Sequence, residues 1–366
     1  MSVEPDPRRE LSRRAGAFLA RAENGGLRAG CRLASVASDL RMADEDRLDD
    51  RTRAAFGALI ESLFGTIRSE VAGHAARTLA AGGHEMIAEA LLTTQRDDKR
   101  LAAILLADHS VLRELDGRVR QDLLADALVA HERDDSDQPS LLPRLAGERD
   151  PLIAGPAMAM LLALGRRATP LESGALARTD LSAETHHRFV WHVAADLREA
   201  VGRLANARTA MLDRALVAAA ERSLAAHDEG IGLEPSAVKL ASALGSAGRG
   251  GRAMAIEALG DRLLALFIAL VAEDVGLDYD IARDAVLDRD GARLWLMLRA
   301  MGMDREAIGR IGLALATADR HRSLDDLAGD LDVAVATDLD AARAMLAIQS
   351  LPAAYRQARE AMESAR

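Results

Sequence analysis

The chain has 366 residues, of which 49% are hydrophobic and only 2% aromatic, with a formal net charge of −10 and a pI near 5.5. That length exceeds what a single core fills, about 250 to 300 residues, and the acidic balance sets the overall field against nucleic acid and anionic membrane. One cysteine, Cys31, excludes an internal disulfide framework and clustered-thiolate metal sites, and fits a reducing compartment.

Ala, Leu, Val and Met carry the apolar content while Tyr and Trp occur twice each, which favours helices over strands. The expected fold class is all-α. Residues Met1 to Ala20 hold Arg8, Arg9, Arg13 and Arg14 without the apolar stretch that follows the basic region of a signal peptide. A cytoplasmic protein is therefore expected. Leu11, Ala15, Phe18 and Leu19 predict a helix over Arg8 to Arg21, ended by Asn24-Gly25-Gly26. Its narrow, Ala-rich apolar face fits a capping helix, and its basic surface offers only a weak contact to a membrane surface or an acidic partner.

Asp50 to Leu79 reads as one long helix or two abutting ones, with Phe56, Leu59, Ile60, Leu63, Phe64, Ile67 and Val71 as a stripe that must be buried. Short helices are then expected over Glu85 to Leu92, Lys99 to Leu106, Gly117 to His131, Ser140 to Leu145 and Pro151 to Leu164. Helices of that length need stacking partners. The stretch Asp150 to Gly165 resembles the second helix of a HEAT-type repeat: Asp150 caps it, and Pro151 fits its first turn. It departs from that pattern at Gly155, where arginine is usual, and no second clean copy occurs. Polar His131 to Pro139 reads as a loop, and Pro170, Gly174 and Thr179-Asp180 break the periodicity over Arg166 to Asp180.

Longer helices follow, Ala183 to Asn206 and Arg208 to His227, whose very short connection makes them antiparallel neighbours. Helices over Pro235 to Leu244, Ala253 to Glu273, Tyr279 to Leu287, Gly291 to Met301, Arg305 to Ala316, Leu324 to Leu331, Asp338 to Ile348 and Pro352 to Arg366 complete the chain. The longest apolar run, Leu263 to Ala272, is about half of what spans a bilayer, so no integral membrane segment is expected. The expected organisation is N-terminal helices in 1–45, short stacked HEAT-like repeats in 46–170 and a longer-helix C-terminal bundle in 171–366.

Several blocks carry a family resemblance: Thr185 to Arg198, Leu212 to Leu216, Gly260 to Leu270, Gly276 to Tyr279, Leu294 to Ala300 and Ile308 to Gly312. Together they resemble a helical family common in alphaproteobacteria and catalogued as a domain of unknown function, over roughly Gly82 to Arg366. The resemblance implies a helical, HEAT-like architecture and supplies no cofactor or catalytic residue.

The densest set of potential ligands is Glu184, His186, His187 and His192. His187 and His192 are five apart and diverge around the axis, whereas a two-histidine helix site needs a spacing of four. Glu184 and His187 match Glu-x-x-His, yet a di-iron site needs a second copy and two further glutamates, which are not found. With Phe189 and Trp191, the histidines read as packing residues. Val193 to Arg198 is similar to the phosphoacceptor helix of histidine kinases, but Ala195 stands where the histidine would be. Gly245 to Arg252 lacks a preceding strand and a following Gly-Lys-Ser/Thr, so it reads as a loop rather than a phosphate cradle. Asp278, Asp280, Asp288 and Gly291 hold only fragments of a calcium loop and read as caps and turns. His74, His84, His109, His131, His227 and His321 have no evident Ser or Cys partner.

No catalytic, cofactor-binding or metal residue is thus nominated. The leading expectation is a non-enzymatic interaction or scaffold module for a protein partner, without nucleic acid. The alternatives are a regulatory adaptor in two-component signalling that docks a receiver domain on the Ala183 to His227 hairpin, and an enzyme with an unrecognised helical active site.

Overall fold

The computed structural model describes residues 49–94, 98–129, 140–168, 179–205 and 209–347, with scattered positions beyond. The N-terminal basic helix expected over Arg8 to Arg21, Cys31 and His131 lie outside them. Sixteen α-helices and a short 3-10 turn at Glu229–Ile231 occur among the described residues, and no strand does. The fold is all-α.

In chain order the helices are α1 (Asp50–Ala81), α2 (Glu85–Thr93), α3 (Lys99–Leu106), α4 (His109–Ala127), α5 (Leu141–Ala146), α6 (Pro151–Ala168), α7 (Ala183–Ala205) and α8 (Thr209–Ala226). The remainder are α9 (Leu233–Ser246), α10 (Arg252–Gly260), α11 (Leu264–Val275), α12 (Tyr279–Leu287), α13 (Ala292–Ala300), α14 (Arg305–Ala318), α15 (Leu324–Ala336) and α16 (Leu339–Ala347). None of the described helices is long and apolar enough to cross a membrane.

The described residues gather into two compact units, one within 33–119 and 162–235, the other within 120–161 and 236–366. Their bounds differ from the division expected at about 45 and 170.

The first unit is organised by α1, which starts with Asp49 accepting from the Thr52 amide at 2.9 Å. Its expected stripe is largely buried, with Phe56, Leu63, Phe64, Ile67 and Val71 inside, though Leu59 and Ile60 are not. α1 packs against α2, α7 and α8, and α7 packs on α8. Phe64 and Phe189 meet with ring centroids 5.3 Å apart.

In the second unit α11 and α13 occupy the interior, with Leu264 to Ala272 and Leu294 to Leu298 buried without interruption. The single helix expected over Ala253 to Glu273 is instead two, α10 and α11. Arg262 sits between them at φ 63°, in the left-handed position that usually falls to glycine. Its guanidinium holds it there, donating to the carbonyls of Ala125 at 3.4 Å and Asp126 at 3.0 Å. α4 begins at His109 rather than Gly117, because Asp108 accepts from the Ser110 amide at 2.8 Å and Gly117 is tolerated inside the helix.

Candidate functional site

The first turn of α7 is fixed by acidic side chains from elsewhere in its unit. Glu114 accepts from the Ser182 amide at 2.7 Å and from the hydroxyls of Ser182 and Thr185 at 2.6 Å each, while Glu229 accepts from the Ala183 amide at 2.7 Å. Carboxylates satisfy the free amides of a helix start and complement its dipole. A step before this start, Asp180 pairs with Arg118 and, at 3.0 Å, with Arg167, which also holds Glu234 at 2.7 Å. Burial alone would push the Asp180 carboxyl up, but Arg167 and Arg118 outweigh it and hold the group below its usual value.

So anchored, α7 sends its histidines in different directions. His186 is 3% exposed and stacks on His227, with ring centroids 3.9 Å apart and planes 11° from parallel. Its Nδ1 lies 2.9 Å from the Thr179 hydroxyl. His227 Nε2 donates to the Leu181 carbonyl at 2.9 Å, which leaves Nδ1 as the acceptor of the neutral ring. His187 points outward and accepts from the Trp191 indole N–H at 3.0 Å. His192 Nδ1 donates to the Arg188 carbonyl at 2.7 Å, and Glu184 is engaged by Arg188 at 2.7 Å. The four expected neighbours therefore do not converge, and no group of three or more potential ligands occurs among the described residues. Nor do the stacked rings share an ion easily: a metal about 2 Å away in the plane of one lies well outside the plane of the other.

The stacked pair lines a cavity of about 360 Å³ between α1, α7 and α8. From α1 come Thr66, Glu70 and His74, and from α8 come Arg222 and Ser223. His186 Nε2 and Ser223 Oγ are buried there without a hydrogen-bond partner. Burial first, then the neighbouring His227, depresses the His186 pKa to about 4 against a weaker opposing pull from the Ser223 carbonyl. A base titrating there accepts protons poorly at neutral pH, which favours a structural or ligand-contacting part for the ring. His74 accepts from Arg77 through Nδ1 at 2.6 Å, and burial, then Arg77 and Arg222, lower its pKa.

The other sequence candidates are tied into local structure. Arg249 pairs with Glu148 and Arg252 donates to the Gly302 carbonyl at 2.7 Å, so both arginines of the glycine-rich stretch are engaged. The cavity beside it, about 380 Å³, is instead faced by Glu273 and Asp274, whose carboxyl is raised by burial. Asp288 accepts from the Asp290 amide at 3.3 Å and Asp290 from the Ala292 amide at 3.2 Å, as turn and cap residues do. His84 occupies the N-cap position of α2, and the His321 amide donates to Asp319 at 3.0 Å.

Residue spacing alone missed Glu70, Thr179, Arg222 and Ser223. One signal for the His186 and His227 pairing was present: a short connection makes α7 and α8 antiparallel, which brings the start of one beside the end of the other.

Residues 121–349 match the model of a family described as an uncharacterised protein conserved in bacteria (DUF2336). The chain belongs to this family. The match is narrower than the span expected from the resemblance, and the DUF2336 region holds the α7 and α8 contributions to the cavity but not Thr66, Glu70 or His74. No curated protein and no solved structure matches the chain.

Proposed function

We propose that this chain is a cytoplasmic, non-enzymatic protein–protein interaction module. The observation that carries the reading is the outward face of α6. Leu152, Met158 and Leu162 are 74%, 47% and 58% exposed, and with Gly155 and Ala159 they fall within an arc of about 120° at 100° per residue. A contiguous apolar stripe left in water marks an interaction surface more often than scattered single residues do. The HEAT-like character of Asp150 to Gly165 agrees with this, since such helices present faces to partners.

The test is capture from the native host with the full chain and with a Leu152→Asp/Leu162→Asp variant. A partner retained by the parent and lost by a variant of unchanged helicity and melting temperature supports the module. The same proteins captured by both would sink it.

A second reading, the two-component adaptor, is favoured by one feature: Ala195 lies exposed on α7, a helix whose other face packs on α1 and α8. A receiver domain docked there would be released by Ala195→Arg. Binding that ignores this substitution argues against the adaptor.

A further inference from the structure

We infer that the cavity between α1, α7 and α8 is a binding site for a small zwitterion of the free α-amino-acid class, with Arg222 meeting the carboxylate and Glu70 the ammonium. The argument begins with what the cavity leaves unpaired. Ser223 Oγ, in a residue 1% exposed, has no hydrogen-bond partner, and His186 Nε2, in a residue 3% exposed, has none beyond the weak pull of the Ser223 carbonyl. A buried polar group left so weakens the fold unless something pairs with it, and both of these face a volume large enough to hold such a partner.

The charges choose the class. Neither the Glu70 nor the Arg222 side chain makes an ion pair or hydrogen bond with a described residue, although both line the cavity and both act on His74. A simple anion would meet Arg222 but also Glu70 and Asp228. A simple cation would be attracted by those carboxylates and repelled by Arg222. A molecule carrying both charges matches both signs without adding net charge, and a guanidinium suits a carboxylate by paired N–H donation. Two further groups then face the rest of the ligand: His227 Nδ1, whose ring is committed through Nε2 to the Leu181 carbonyl, and the Ser223 hydroxyl, which can donate or accept. A volume of about 360 Å³ lies at the small end of the range for ligand pockets, roughly 300 to 1,000 Å³. The site is separate from the α6 face and stands or falls independently of it.

Thermal unfolding of the full chain with each proteinogenic L-α-amino acid at roughly 10 mM provides the test, followed by the amide and N-acetyl forms of any that act. At least one amino acid should raise the melting temperature by about 2 °C or more. Its amide, lacking the carboxylate, and its N-acetyl form, lacking the ammonium, should not. In calorimetric titrations at 10 to 15 °C, Arg222→Gln and Glu70→Gln should each weaken binding by roughly tenfold or more, the scale of losing one charge-assisted contact. Arg222 is exposed and makes no contact that folding needs, so its variant keeps the parent melting temperature. No shift with any amino acid, a shift that survives both derivatisations, or affinity unchanged in both variants overturns the assignment.

Discussion

The helices α11 and α13 have almost no wet face, whereas α7, in the other unit, carries buried Phe189 and Val193 beside a stacked histidine pair and an ion-paired start. One interior is held by filled volume. The other depends on charges and hydrogen bonds whose strength changes with protonation. Truncation should therefore hurt the unit of α11 and α13 at any pH, and acid should weaken the unit of α7 selectively.

The largest effect is expected from Trp295→Ala. The residue is 3% exposed, and removing a buried aromatic costs on the order of 3–5 kcal/mol. Urea unfolding should show that loss equally at pH 5 and pH 7. Because the indole Nε1 is buried without a partner, Trp295→Phe should be far milder. A pH-dependent loss for the alanine variant would break the contrast between the units.

Next comes Arg167→Ala, which strips Asp180 and Glu234 of a shared partner whose side chain is 10% exposed. With Asp180 left to Arg118 alone, the lost pairing should cost about 3 kcal/mol at neutral pH. Since the folded Asp180 pKa is depressed, its contribution is present above the unfolded carboxylate value and disappears as pH falls through the folded one. The variant and parent should thus converge in acid, and an undiminished difference at pH 3 would contradict the pairing.

The smallest effect concerns His186. Its folded pKa, about 4, lies below the ordinary imidazole value of 6.5, so the unfolded chain takes up a proton that the folded chain resists. Stability from this group is full above 6.5 and is lost as pH falls from 6.5 to 4, by up to about 3 kcal/mol at 1.36 kcal/mol per unit. His186→Asn should remove that part of the slope. A parent whose stability is flat across this window would mean that the ring is wetter than its burial implies.

Much of the fold could be read in advance for a plain reason: the apolar period is helical everywhere, and α1, α7, α8 and α12 to α14 lie within a few residues of their expected spans. Breaks were harder. Asp261-Arg262-Leu263 contains neither Gly nor Pro, and what stabilises Arg262 at positive φ is a pair of carbonyls more than 130 residues away in sequence. Trp191, expected as a packing residue, is only half-buried, because its indole N–H reaches His187 on the outer side of α7. The cavity was the least visible feature. His74, His186 and His227 come from three segments, and only packing makes them neighbours.

Gly291 opens α13 at φ 75°, and a Cβ built there would sit 2.6 Å from the Trp295 indole carbons. The first position of that turn is thus reserved as space for a ring one turn later. Across evolution the two sites should behave as a single locus: a relative with this fold and any side chain at 291 must carry something smaller than an indole at 295, and a lineage that regains the ring must first regain the glycine.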